Sequence, residues 1–159
     1  MKPATINELN AGLSQLDKKE LLSFCLRLAK FKKENKELLT YLLFEAGDID
    51  NYIENVKKEI TISFMEINNS NVYYIKKSVR KILRYVNRNI RFTGSKQAEA
   101  ELLIHFCNSL LQFAIPLSKS KPLQNLYESQ LKKIELAISQ LHPDLQYDLK
   151  KKLNKKITV

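Results

Sequence analysis

We expect the stretch from Val72 to Phe92, which reads VYYIKKSVRKILRYVNRNIRF, to be the helix around which the rest of the chain is organised. Its apolar residues recur every three or four positions, so an α-helix of 3.6 residues per turn places them on one stripe. The bases occupy the opposite arc, roughly 140° wide at about 100° per residue. The pattern predicts a helix that docks through one face and exposes a cationic strip on the other. That strip comprises Lys76, Lys77, Arg80, Lys81, Arg84, Arg88 and Arg91.

The positive charge of the chain is concentrated in the same half. The formal net charge is +10, from 27 basic and 17 acidic residues. Residues 1–67 hold 10 bases and 11 acids, whereas residues 68–159 hold 17 bases and 6 acids. No acid lies between Glu66 and Glu99. This asymmetry favours partners of negative charge: a nucleic acid, an acidic protein or an anionic membrane surface.

The composition favours an all-α fold. The 159 residues include only three Gly and four Pro, too few for the tight turns of an all-β protein. A chain of this length fits one domain. We therefore predict that residues 1–159 form a single helical domain, an irregular bundle of seven or eight helices. Stacked helical hairpins of the solenoid kind are the alternative arrangement.

Capping residues predict where the other helices begin. Thr5 begins the first helix, Asp17 with Glu20 forms a capping box for the second, and Ser95 begins the sixth. Between Ile60 and Phe64 apolar residues also alternate as in a strand, but a lone strand would lack a partner, so we predict a helix. The sixth helix has only a narrow polar face and is expected to be the most buried. The predicted core includes Cys25, Leu42, Val56, Val79, Val86, Phe106, Leu110 and Ile134.

Catalytic and metal-binding patterns are missing from the sequence. It has no Gly-rich phosphate loop, no Gly-x-Ser-x-Gly elbow and no His-Glu-x-x-His motif. Glu101 and His105 are one helical turn apart, but a di-iron bundle needs a spacing of three and two copies. We interpret His105 as a hydrogen-bonded histidine within an apolar helix, and both Cys25 and Cys107 as buried, inert thiols. No enzyme activity, metal or cofactor is predicted.

The acidic residues that precede the basic stretch are explained by structure. Asp48 or Asp50 caps the fourth helix, and Glu54 is spaced to pair with Lys58. Acids on this helix are also possible partners for the cationic strip. The strip then has two interpretations: a solvated outer surface, or a site that binds phosphates.

Two leucine- and lysine-rich segments carry a resemblance to other proteins. Residues 13–22 read LSQLDKKELL, and residues 33–39 read KENKELL. In these segments the chain resembles the opening helical hairpin of an uncharacterised all-helical family of Bacteroidetes-type bacteria. The resemblance implies a helical fold along most of the chain. That family has no assigned activity, so the resemblance implies no cofactor and no site residues.

These observations lead to two functional hypotheses. The first is a non-enzymatic interaction or scaffold protein with an unknown protein partner. The alternative is nucleic-acid or other polyanion binding through residues 72–92, with Tyr73, Tyr74 and Tyr85 stacking on exposed bases. The N-terminus lacks the apolar segment of a signal peptide, and no apolar run suits a membrane span. A cytoplasmic location is therefore expected.

Overall fold

The computed structural model describes the backbone of residues 1–113 and 119–157, and side chains as far as residue 153. Within these ranges the chain forms eight α-helices, one π-helical turn and no strand, which confirms the predicted all-α class. The helices are α1 (Ile6–Leu13), α2 (Lys18–Phe31), α3 (Lys33–Thr40), α4 (Ile49–Met65), α5 (Val72–Thr93), α6 (Lys96–Gln112), α7 (Lys121–Ser139) and α8 (Pro143–Ile157), and the π-helical turn is Tyr41–Glu45.

The chain divides into two compact units. The N-terminal unit is Met1–Glu45 and contains α1, α2, α3 and the π-helical turn. The C-terminal unit is Ala46–Val159 and contains α4 to α8. A single domain over residues 1–159 stays a prediction.

The N-terminal unit has well-formed helix starts but almost no interior. Thr5 and Glu8 form a capping box at α1, as Asp17 and Glu20 do at α2. None of the residues of α1, α2 or α3 is buried, and Tyr41 is the single buried apolar side chain. The unit has only 45 residues, close to the length of about 40 below which a chain rarely encloses a core by itself.

Two residues of the predicted core lie in this unit, and for both the prediction is wrong. Cys25 is exposed on α2, and the side chain of Leu42 is 56% exposed. Their helical spacing is as the sequence indicates, but spacing alone does not supply a neighbouring helix to cover them. The α-helix α3 ends at Thr40, where the chain continues as the π-helical turn Tyr41–Glu45.

The C-terminal unit is a bundle built around α6. This helix contacts α4, α5, α7 and α8, and nine of its residues are buried, more than in any other helix described. That confirms the prediction that the sixth helix is the most buried. The six predicted core residues of this unit are buried as well: Val56, Val79, Val86, Phe106, Leu110 and Ile134.

The ambiguous segment before the basic stretch is helical. Ile60 and Phe64 of α4 are buried, whereas Ile62 is 46% exposed, so the apolar residues follow a period of four and not the alternation of a strand. Phe64 packs against Phe106 of α6, with ring centroids 5.6 Å apart. These contacts fix α4 against α6.

Candidate functional site

The orientation of α5 is set by its buried stripe. Ile75, Val79, Ile82 and Val86 are buried, so the opposite side of the helix must face solvent. Asn89 continues the stripe as a buried polar residue, and the hydroxyl of Tyr52 on α4 donates a hydrogen bond to its Oδ1 over 2.5 Å. The hydrogen bond and the apolar contacts together fix the rotation of α5 in the bundle.

Five bases of the predicted strip are exposed on the outer side of α5. We call them the basic face: Lys77, Arg80, Lys81, Arg84 and Arg91. Within residues 1–113 and 119–153, none of these five side chains forms an ion pair or a hydrogen bond. In that part of the chain no acidic side chain neutralises their positive charges.

The other two predicted strip residues are less accessible. Lys76 and Arg88 are half-buried. The guanidinium carbon of Arg88 lies 5.8 Å from the ring centroid of Tyr85, which is itself half-buried. At this distance a cation is attracted to the face of an aromatic ring. Arg88 thus has a structural contact that the five residues of the basic face lack.

Aromatic side chains accompany the basic face at the start of α5. Tyr73 and Tyr74 are 62% and 52% exposed, and their ring centroids are 5.6 Å apart with planes at 75°. Two exposed tyrosines beside cations are suited to stacking on bases. Tyr85, the third predicted stacking residue, is half-buried and less available.

The predicted pairing on α4 is corrected by the structure. Glu54 accepts a hydrogen bond from Lys57 Nζ over 2.7 Å, and not from Lys58. Lys57 Nζ also donates to Glu101 Oε2 of α6 over 2.8 Å. The second carboxylate belongs to a different helix, α6, so spacing within α4 does not reveal this contact. The acids of α4 do not pair with the basic face in the part of the chain that the structure describes.

Lys57 and Glu101 stabilise each other in their charged forms. Burial by itself would lower the pKa of Lys57, but hydrogen bonds and charge from Glu101 and Glu54 raise it above its usual value. Burial would likewise raise the pKa of Glu101, yet hydrogen bonds from Lys57 and Gln97 and the charge of Lys152 lower it. Both groups are therefore ionised at neutral pH.

The histidine and the cysteine of α6 behave as expected for structural residues. Thr61 Oγ1 donates to the carbonyl of Lys57 over 3.1 Å, so His105 Nε2, at 2.9 Å from the same oxygen, must be the donor. Burial raises the pKa of Cys107 to about 12, which removes its nucleophilicity. Among the described residues no group of three or more His, Cys, Asp or Glu side chains is placed to hold a metal ion.

Comparisons with known proteins identify no relative of this chain. No protein-family model matches the chain, and neither the curated proteins nor the solved structures contain a match. The family resemblance of the opening hairpin stays a prediction. None of the helices in the described residues has the length and apolarity that crossing a membrane requires.

Proposed function

We propose that this chain is a non-enzymatic interaction protein and that the basic face of α5 binds nucleic acid through its phosphates. The observation that supports this function is the set of five exposed cations without ion-pair partners in the described residues. A helix buried through Val79 and Val86 on one side presents these cations along the other. Cations clustered along one side of a helix attract a phosphate backbone.

Binding of this kind has a characteristic dependence on salt. Each neutralised phosphate releases a counterion, so the logarithm of the affinity falls with the logarithm of salt by about 0.9 per contact for duplex and about 0.7 for a single strand. We expect only slight sequence preference, because Asn87 is the one amide next to the basic face that suits a base edge. Tyr73 and Tyr74 favour a single strand, in which bases are available for stacking.

Fluorescence anisotropy with a labelled oligonucleotide tests the proposal. The double variant Lys77→Glu with Arg84→Glu reverses two charges of the basic face that lie two helical turns apart. We expect it to lose most of the binding, while the fold is retained because both side chains are exposed. The matched control is Lys132→Glu with Lys133→Glu, two exposed bases of α7 that give the same change in net charge.

The two double variants separate a local site from a general charge effect. If the α5 variant alone loses binding, the basic face is the site. If both variants weaken binding equally, attraction by net charge explains the result and the proposal is wrong. Absence of binding by the wild type at low salt would also contradict it, and would leave the basic face as a solvated surface.

A protein partner is the second candidate function, and the N-terminal unit supports it. Its helices leave large apolar side chains exposed, among them Leu28 at 61% and Phe31 at 77%. Exposed apolar groups of this size favour association with another protein. Affinity purification with the wild type and with the variant Leu28→Gln with Phe31→Gln tests this function: a partner lost from the variant, with oligonucleotide binding unchanged, supports a scaffold role. A cytoplasmic location belongs to the same proposal and agrees with two free thiols.

A further inference from the structure

Two tyrosines at the start of α5, Tyr73 and Tyr74, form an exposed pair of aromatic rings. Both residues are more than half exposed, so they add little to the core of the bundle. Their ring centroids are 5.6 Å apart with planes inclined at 75°, an edge-to-face arrangement. In this arrangement each ring keeps a face that a third ring can cover. We call these two residues the tyrosine pair.

The tyrosine pair lies in line with the cations of the basic face. Lys77 follows Tyr73 by four residues and Tyr74 by three, so on the helix surface it neighbours both rings. Arg80 and Arg84 continue the same side of α5 at further spacings of three and four residues. From Tyr73 to Arg84 the helix rises about 16 Å, the length of roughly five nucleotides at 3.4 Å per nucleotide of a strand.

The end of the bundle that carries the tyrosine pair is apolar as well as aromatic. The hydrogen bond between Tyr52 and Asn89 joins the start of α4 to the end of α5, so the two helices run antiparallel. Met65 at the end of α4 and Val72 at the start of α5 therefore lie at the opposite end of this helix pair. Their side chains are 78% and 45% exposed.

A single strand of nucleic acid fits this combination of rings and cations. Each of its nucleotides carries a negative charge and a base with an accessible face, whereas the base faces of a duplex are stacked inside. A duplex has the higher density of charge, so cations alone would favour the duplex. Exposed aromatic rings favour the single strand, because they can stack on its bases. No acidic residue occurs in α5 to repel the phosphates.

We propose that the tyrosine pair is a base-binding site and that the ligand of α5 is a single-stranded segment of about five nucleotides. One unpaired base stacks on the tyrosine pair, its phosphate contacts Lys77, and the following phosphates lie along Arg80 and Arg84. This inference rests on the proposed function of the basic face and makes it more specific. The cations hold the backbone of the strand, and the tyrosine pair selects single strands over duplexes.

Fluorescence anisotropy with three labelled probes tests the inference on the full chain. The probes are an oligothymidylate of twelve nucleotides, its abasic analogue with the same phosphates and no bases, and a blunt duplex of twelve base pairs. We expect the oligothymidylate to bind about tenfold more tightly than the abasic analogue, within the range of one stacked base, and also more tightly than the duplex. Equal binding of the oligothymidylate and the abasic analogue would overturn the inference but leave the phosphate site in place. Absence of binding by all three probes would instead contradict the proposed function itself.

Substitutions in the tyrosine pair locate the stacking. Tyr73→Ala with Tyr74→Ala should weaken the oligothymidylate about tenfold and leave the abasic analogue unchanged. Tyr73→Phe with Tyr74→Phe keeps both rings and should bind like the wild type. The matched control is Tyr147→Ala, an exposed tyrosine of α8, which should change neither probe. Circular dichroism checks that each variant is folded. An equal loss of both probes from the alanine variant would overturn the inference, because the rings would then support the basic face and not bind a base.

Vesicles of phosphatidylserine and phosphatidylcholine test a different surface that cations and an exposed aromatic end can contact. We expect any binding of the wild type to these vesicles to be unchanged in the variant Tyr73→Ala with Tyr74→Ala. If this variant loses the vesicles and retains the oligothymidylate, the tyrosine pair is a membrane contact and the inference is wrong.

Discussion

The two units of the chain contain amphipathic helices of the same kind, yet they differ in what those helices bury. In the C-terminal unit, α4, α5, α6 and α7 each bury between four and nine residues. In the N-terminal unit, α1, α2 and α3 bury none. The helices of the C-terminal unit have 15 to 22 residues, and those of the N-terminal unit 8 to 14.

The difference shows what helical periodicity specifies. A stripe of apolar residues determines which side of a helix is turned inward, but burial also requires neighbouring helices long enough to cover that side. In the C-terminal unit, α6 supplies such a neighbour to four other helices. The N-terminal unit has no helix in that position. Its apolar stripes are therefore available for other contacts.

The two cysteines give the largest expected difference between the units. Cys25 is exposed, whereas Cys107 is buried and burial raises its pKa to about 12. At pH 8 roughly one in 10⁴ of the Cys107 thiols is ionised, and only the thiolate reacts. In the native chain we expect a disulfide reagent to label Cys25 at least about a thousand times faster. Stopped-flow detection with Cys25→Ser and Cys107→Ser variants checks this, and comparable rates would contradict the difference in burial.

Matched phenylalanine substitutions should show the same difference in stability. Phe106 is fully buried in α6, and Phe106→Ala should lower the free energy of unfolding by about 3–5 kcal/mol through lost contacts and a cavity. Phe31 is 77% exposed at the end of α2, so Phe31→Ala should change it by less than about 0.5 kcal/mol. Urea unfolding followed by circular dichroism measures both. Equal effects would mean that the N-terminal unit is as tightly packed as the bundle.

Much of the C-terminal bundle can be predicted from the sequence, because the signals are local. The apolar stripe of α5, the cap at Ser95 and the high apolar content of α6 each indicate the observed structure. Exposure of Cys25 and Leu42 cannot be predicted in this way, since it depends on which helices are near them in space. The local sequence pattern determines where a helix forms and which of its sides is apolar. Contacts with other helices determine whether that side is buried.

The candidate sites also combine features that local sequence pattern predicts with features that depend on contacts between helices. The basic face is one side of one helix, so its residues can be identified from spacing, although the partial burial of Lys76 and Arg88 cannot. The pairing of Lys57 with Glu101 joins residues 44 positions apart. A cavity beside them adds α8 to α4 and α6, and no periodicity indicates that these three helices meet there. From the sequence, Asn108 is one residue of the narrow polar face of α6. That it lines a cavity is seen only in the structure.

Acid should destabilise the bundle partly through Glu101. Its pKa is lower in the folded chain, so its carboxylate stabilises the fold above the unfolded pKa of about 4.5, and that contribution is lost as pH falls through the folded pKa. At neutral pH Glu101→Gln should lower the free energy of unfolding by about 1–2 kcal/mol. The variant should also lose less stability than the wild type between pH 5 and pH 3.

A carboxylate of the N-terminal unit supplies the control for this pH dependence. The pKa of Glu8 is also lowered, through hydrogen bonds from the backbone and side chain of Thr5, but this group is fully exposed. We therefore expect Glu8→Gln to alter the pH dependence less than Glu101→Gln does. The midpoints of urea unfolding at pH 3, 4, 5 and 7 give the pH dependence of stability for each of the two variants. A larger effect at Glu8 would show that burial of the carboxylate is not what strengthens the contribution of Glu101.

The smallest expected effects on stability come from replacing one glycine in each unit. These substitutions test how the backbone conformation contributes to the stability of that unit. Gly94 ends α5 with a φ of 60°, a left-handed conformation that side chains with a Cβ adopt at a cost, so Gly94→Ala should destabilise the chain by about 1 kcal/mol. Gly12 lies within α1 at negative φ, and a Cβ there meets no atom within 4 Å. Gly12→Ala should therefore raise helix stability by about 0.5–1 kcal/mol, but only if α1 unfolds together with the measured transition. The two substitutions thus have opposite expected signs, and urea unfolding by circular dichroism reads both. A midpoint unchanged by Gly12→Ala, beside the expected loss from Gly94→Ala, would mean that the N-terminal unit unfolds separately from the bundle.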